Sequence, residues 1–218
     1  MSELTNFFEK NGYVVCKNII ADETVKLLAI QFDLFEVMVS RKYNRPDGLY
    51  FGDTDVDNCF GCYSSNCFEG LLLLMKEKME KITGLDLLPT YSFGRIYYKD
   101  ADLKKQTDRP SCEISTTIAL QNDEKPWEIF LKNLNGEIVS VSLENGDALI
   151  YKGCELEHWR DKYEGNKQFQ AFLHYVNSNG EYKDEYCDGR NIFSQVAKVN
   201  ISDYYKTKTG FQYDELHF

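Results

Sequence analysis

The sequence predicts an α+β chain, helices first and strands after, whose β part is a sandwich or double-sheet jelly roll. Three observations predict it. Apolar residues recur at helical spacing up to about residue 83. From Leu88 onward the period changes to two, over candidate strands 90–99, 113–121, 127–133, 137–143, 147–152 and 167–176. The links between those strands carry turn residues: Asn122-Asp123, Asn135-Gly136, Asn145-Gly146 and Glu164-Gly165-Asn166. Many short strands following helices fit such an architecture.

The elements follow in order. Leu4, Phe7 and Phe8 predict a short helix over residues 3–11, stopped by Gly12. Tyr13-Val-Val-Cys16 lies in a β-branched strand, 12–17. Asp22 is placed to cap a helix over 23–40 that is apolar on more than one side and so packs against the β part. Residues 41–66, with Pro46, Gly48, Gly52 and Gly61, read as an irregular loop long enough to serve as a lid. A second clear helix spans 67–83, closed by Gly84, and the last forty residues read as a wrapping tail with one short helix near 191–197. We therefore expect one domain over 1–218: a mostly helical part (1–85), a β core (86–176) and the tail (177–218).

Composition excludes some functions. A formal net charge of −10 repels a phosphate backbone, so no nucleic-acid partner is expected. The longest apolar run, Leu71–Met75, is far too short to cross a bilayer, and the first residues have no signal-peptide pattern. The seven cysteines then read as reduced thiols in a cytoplasmic compartment.

The chemistry lies between Tyr91 and Tyr175. Two side chains at i and i+2 on a strand point the same way. A face of two histidines and one carboxylate binds Fe(II) while leaving positions open for co-substrate and oxygen. Gln106 and Asp108 have that i, i+2 spacing, and His158 follows Asp108 by 50 residues, room for three or four strands.

These residues carry a resemblance. Arg95-Ile-Tyr97, Gln106-Thr-Asp108-Arg-Pro-Ser-Cys112-Glu113, Gly146-Asp147-Ala-Leu-Ile-Tyr151, Glu157-His158-Trp-Arg160 and Phe172-Leu-His174-Tyr stand in an order and spacing that resemble the Fe(II)- and 2-oxoglutarate-dependent oxygenases, in particular the prolyl-4-hydroxylase-like branch. The opening Phe7-Phe-Glu-Lys-Asn-Gly-Tyr-Val-Val is similar as well, so the likeness covers roughly 165 residues. It implies a double-stranded β-helix (jelly-roll or cupin-like) with supporting N-terminal helices. It also implies Fe(II), 2-oxoglutarate and O2 as cofactors, with ascorbate as a reductant. The implied reaction is hydroxylation of an aliphatic C–H on a prolyl or other peptide side chain, or on a small molecule.

Residue by residue, the resemblance makes Asp108 the carboxylate ligand and His158 the distal histidine. Tyr97 matches a tyrosine that hydrogen-bonds 2-oxoglutarate; core packing is the other reading for it. Lys167, nine past His158, fits the slot of the cation that anchors the far carboxylate, with Arg95 and Arg160 as fallbacks. Gln106 departs from the pattern, because a histidine is expected there and an amide oxygen is a poorer donor. His174 lies deep in the next strand and His217 almost at the end, so neither is an obvious substitute. The alternative function is thus a pseudo-oxygenase: a binding module that keeps the barrel and has lost competent iron.

Two further motifs have ordinary readings. Cys59, Cys62 and Cys67 make half of a zinc knuckle without a partner pair, so loop thiols are expected. Asp53, Asp55 and Asp57 lack the glycine and terminal glutamate of a calcium loop and read as a solvated face.

Overall fold

The computed structural model describes residues 2–40, 48–52, 55–123 and 127–190. Helix α1 (Glu3–Asn11) starts where the Ser2 side chain accepts the Thr5 N–H and ends at Gly12, whose φ of 78° needs a residue without a Cβ. Strand β1 (Tyr13–Cys16) and helix α2 (Asp22–Ser40) follow. Two strands, β2 (Leu49–Phe51) and β3 (Cys59–Tyr63), then lie inside the stretch expected to be loop. They are short and their residues, glycine among them, do not alternate, so no period marks them in the sequence. Helix α3 (Asn66–Thr83) is capped by Ser65 and closed by Gly84 in the left-handed region.

The remaining strands are β4 (Leu87–Tyr98), β5 (Leu103–Gln106), β6 (Ile114–Gln121), β7 (Ile129–Lys132), β8 (Ile138–Val141), β9 (Ala148–Lys152), β10 (His158–Arg160) and β11 (Lys167–Asn177). Asn135-Gly136 turns the β7–β8 hairpin as expected, with Gly136 at φ 83°. Strands β5 and β10 were not foreseen. Leu103-Lys-Lys-Gln106 is too charged to show a period, and three residues are too few to show one.

All pairings are antiparallel. The major sheet runs β1-β9-β6-β11-β4-β3-β2, and the minor sheet β5-β10-β7-β8. Ala119, Leu149 and Tyr151 from the major sheet pack with Ile129, Leu131 and Val141 from the minor one, so the sheets face each other as a double-stranded β-helix. The helices cover the outside of the major sheet. Val25, Leu28 and Phe32 of α2 and Phe68, Leu72 and Met75 of α3 form one cluster with Phe169, Ala171 and Leu173 of β11. Only one face of α2 is buried this way; Leu27, Ile30, Leu34 and Val37 of the second apolar face are exposed.

Alternation along β11 decides what enters the barrel. Its odd positions from 169 to 173 serve the helix cluster, so Gln168, Gln170, Phe172 and His174 turn inward. Beyond the barrel a kinked 3-10 segment, Lys183–Gly189, is tied down by Asp188, which accepts from both Arg109 and Tyr63. The helix expected near 191–197 and the rest of the tail lie outside the described residues. Among the described residues no helix is long and apolar enough to cross a membrane.

Candidate active site

A cavity of about 270 Å³ opens between the sheets. Four elements supply its chemistry. Strand β5 and the turn after it bring Gln106 and Asp108, β10 brings His158 and Arg160, β4 brings Arg95 and Tyr97, and β11 brings Phe172 and His174. Gln106 and His158 are direct partners across the β5–β10 ladder.

Asp108 and His158 converge, with Oδ1 of the one 3.3 Å from Nε2 of the other. The Nδ1 of His158 lies 2.9 Å from the Leu156 carbonyl oxygen. A carbonyl only accepts, so Nδ1 carries the hydrogen and Nε2 is aimed at Asp108. Burial opposes ionisation of Asp108, but the hydrogen bond and charge of His158, helped by His174 and Ser115, hold its carboxyl below the ordinary range. Burial likewise disfavours the His158 imidazolium, and the contact with Asp108 outweighs it and raises the pKa.

The Asp108 backbone is fixed by its N–H, which donates to the Gly153 carbonyl at 2.8 Å. Gly153 has no room for a side chain: an added Cβ would stand 2.2 Å from the Cys112 carbonyl oxygen and 2.4 Å from Asp108 Oδ2. Ser115 touches the same carboxylate, with Oγ 3.2 Å from Oδ2. Ser115, Gly153, Tyr151 and His174 were not expected as site residues, and inward parity on β6, β9 and β11 is the signal that finds them.

The cations sort differently from expectation. The Lys167 ammonium pairs with Asp33 at 2.8 Å and Glu36 at 2.6 Å, both on α2. Residue 167 has the parity of the helix-facing side of β11, so Lys167 is outside the cavity and is not the anchor expected from its distance to His158. Arg95 and Arg160 both line the cavity. Arg160 is 3% exposed, donates to the Trp127 carbonyl at 2.7 Å and lies over the Trp127 ring. It forms no ion pair with a carboxylate among the described residues, and burial lowers its pKa. Glu128 acts on it only at longer range, and a buried guanidinium with no carboxylate in contact is costly unless an anion joins it. Arg95 is flanked by the rings of Phe93, Tyr97 and Phe172.

Among the described residues no group of three His, Cys, Asp or Glu side chains is placed to hold a metal. The candidate donors that line the cavity together are one carboxylate, Asp108, one imidazole Nε2, His158, and the neutral Gln106 amide. A carboxylate and an imidazole nitrogen that meet at 3.3 Å fit a divalent cation of the iron type. Cys59 and Cys62 are buried in β3 and Cys67 is exposed on α3. None of the seven cysteines forms a disulfide.

No family model and no curated protein sequence matches the chain. Solved structures do. A Pseudomonas putida prolyl-4-hydroxylase superposes with a TM-score of 0.61 at 12% identity, over 80% of this chain and 97% of that one. AviO1 from Streptomyces viridochromogenes gives 0.65 at 13% identity, over 81% and 95%. HygX from Streptomyces hygroscopicus, crystallised with nickel and 2-oxoglutarate, gives 0.62 at 11% identity, over 82% and 88%. By these superpositions and by its two facing antiparallel sheets, the chain has the double-stranded β-helix fold of the prolyl-4-hydroxylase-like 2-oxoglutarate-Fe(II) oxygenases.

Proposed function

We propose that the chain, acting as one domain, is an Fe(II)- and 2-oxoglutarate-dependent dioxygenase that hydroxylates an aliphatic C–H of a peptide side chain or small molecule. The observation that carries this reading is the pairing, in one cavity, of the Asp108–His158 junction with a buried Arg160 that makes no contact ion pair among the described residues, Glu128 acting on it only at longer range. The carboxylate–imidazole pair suits a metal, and the guanidinium suits the remote carboxylate of a dicarboxylate. Bound iron with 2-oxoglutarate and O2 would supply the oxidation, 2-oxoglutarate leaving as succinate and CO2.

The chain's own residues would do the rest. Asp108 and His158 hold the cation, and Gln106 completes their face as a neutral donor. Arg160 takes the far carboxylate through charge-assisted hydrogen bonds, and Tyr97, wholly buried beside it, offers a hydroxyl to the same ligand. Phe93 and Phe172 line the cavity wall and exclude water. Arg95 is a second cation for the substrate or co-substrate.

One observation favours a second reading, a binding module without turnover: Gln106 stands directly opposite His158, where an imidazole would complete the site. Succinate formation from labelled 2-oxoglutarate, with Fe(II) and ascorbate, separates the two. Iron-dependent succinate supports the oxygenase. Bound 2-oxoglutarate with no succinate at saturating iron supports the binding module.

A further inference from the structure

Asp108 has two carboxylate oxygens with different surroundings. Oδ1 faces His158, while Oδ2 faces Ser115 at 3.2 Å and packs against the bare Cα of Gly153. Ser115 is fully buried on β6, directly opposite His174 on β11. Its Oγ is 2.9 Å from His174 Nδ1 and 3.0 Å from the Cys112 carbonyl oxygen. The His174 ring is held in turn by stacking on Tyr91 at 4.4 Å.

A hydroxyl has one hydrogen to give and can accept. The carboxylate and the carbonyl only accept. If His174 took the hydroxyl hydrogen, neither oxygen would receive one. If Nδ1–H donates to Oγ, the hydroxyl is turned away from His174 and its hydrogen goes to an oxygen, with the charged Asp108 the stronger acceptor.

We propose that Ser115 and His174 are a positioning pair that sets the aim of the Asp108 carboxylate, holding Oδ2 back and presenting Oδ1 alone beside His158. This rests on the metal reading of Asp108 and His158. Gln106 is neutral, so Asp108 carries the only formal negative charge of the donor set, and its aim bears directly on metal affinity.

The test uses the full chain with Co(II) as probe, by calorimetry and by the visible spectrum of the bound ion, together with a metal-free crystal structure of Ser115→Ala. Ser115→Ala is expected to weaken Co(II) binding about tenfold or more and to alter the spectrum, with Ser115→Thr within about threefold of the parent. In the crystal the Asp108 carboxylate is expected to turn away from His158. Parent-like Co(II) affinity with an unmoved Asp108 overturns the proposal. If the parent binds no Co(II) but Asp108 turns in Ser115→Ala, the positioning pair stands and the metal reading falls. Should Ser115→Ala fail to fold, His174→Leu, which removes the donor to Ser115, carries the same expectations and the same overturning result.

Discussion

Gln106 and His158 sit directly opposite each other in the β5–β10 ladder. Opposed residues on antiparallel strands share a face, with their Cβ atoms about 4.5–5.5 Å apart. The amide is therefore within reach of anything His158 binds.

Gln106→His is expected to tighten Fe(II) at least about tenfold, by restoring an imidazole donor, while costing no more than about 1–2 kcal/mol of stability. Asp108→Ala is expected to abolish binding in both backgrounds. Anaerobic Fe(II) titration, with urea unfolding as the control, checks both. A normally folded Gln106→His that binds no better than the parent would put the site elsewhere.

Arg160→Met separates stability from ligand binding. The buried guanidinium donates to the Trp127 carbonyl and makes no contact ion pair among the described residues, Glu128 acting on it only at longer range. Replacing it with an apolar chain removes a desolvated charge, a change that is often neutral or stabilising. The ligand-free variant is expected to melt at or above the parent's Tm. Its affinity for 2-oxoglutarate, measured by calorimetry, is expected to fall at least about tenfold, or about 1.4 kcal/mol.

Lys167→Ala is the counterpart. Lys167 pairs with Asp33 and Glu36 on α2, with all three side chains partly exposed. Losing such pairs costs about 1 kcal/mol or less. Chemical denaturation is expected to show that small loss, and 2-oxoglutarate affinity is expected to stay at the parent value.

Stability should fall in mild acid because of His174. Burial, ahead of the raising effect of Asp108, pushes its pKa down from 6.5 to about 4. The unfolded chain takes up this proton below about pH 6.5, whereas the folded chain resists until about pH 4. Stability is therefore lost across that window, by up to about 3 kcal/mol. His158 has the opposite sign: its raised folded pKa gives stability that is present below 6.5 and lost only as pH rises through the folded value. Asp108 and Asp188, both lowered from 3.8, lose their contributions only in stronger acid. Urea unfolding at about pH 7 and about pH 4.5 is expected to show a larger drop for the parent than for His174→Gln. Equal drops would remove His174 as the cause.

The sequence showed the large periodic elements: three helices, two of them with their glycine stops at Gly12 and Gly84, the Asn135-Gly136 hairpin and the long strands. These are set by local capping and by alternation against a core. It also placed Asp108 and His158 as candidates, because i, i+2 spacing and a distal histidine are visible in one dimension. Strands β5 and β10, which carry those residues, were not legible. They are three or four residues long and exist through pairing with each other and, for β10, with β7. The facing of β11 was not legible either. The distance from His158 to Lys167 suggested an anchor, but parity decides which side chain enters the barrel, and only packing against α2 and α3 fixes parity. Ser115 and His174 meet because β6 and β11 are neighbours in the sheet, although they stand 59 positions apart.

The central claim is that one cavity holds a metal at Asp108 and His158 together with a dicarboxylate at Arg160. Its most direct test is the dissociation constant of 2-oxoglutarate, measured anaerobically with and without Fe(II), in the parent and in Asp108→Ala. The expected result is binding at least about tenfold tighter with Fe(II) in the parent, a coupling of about 1.4 kcal/mol, and no such gain in Asp108→Ala. Parent affinity indifferent to Fe(II), or a gain that survives Asp108→Ala, would contradict it.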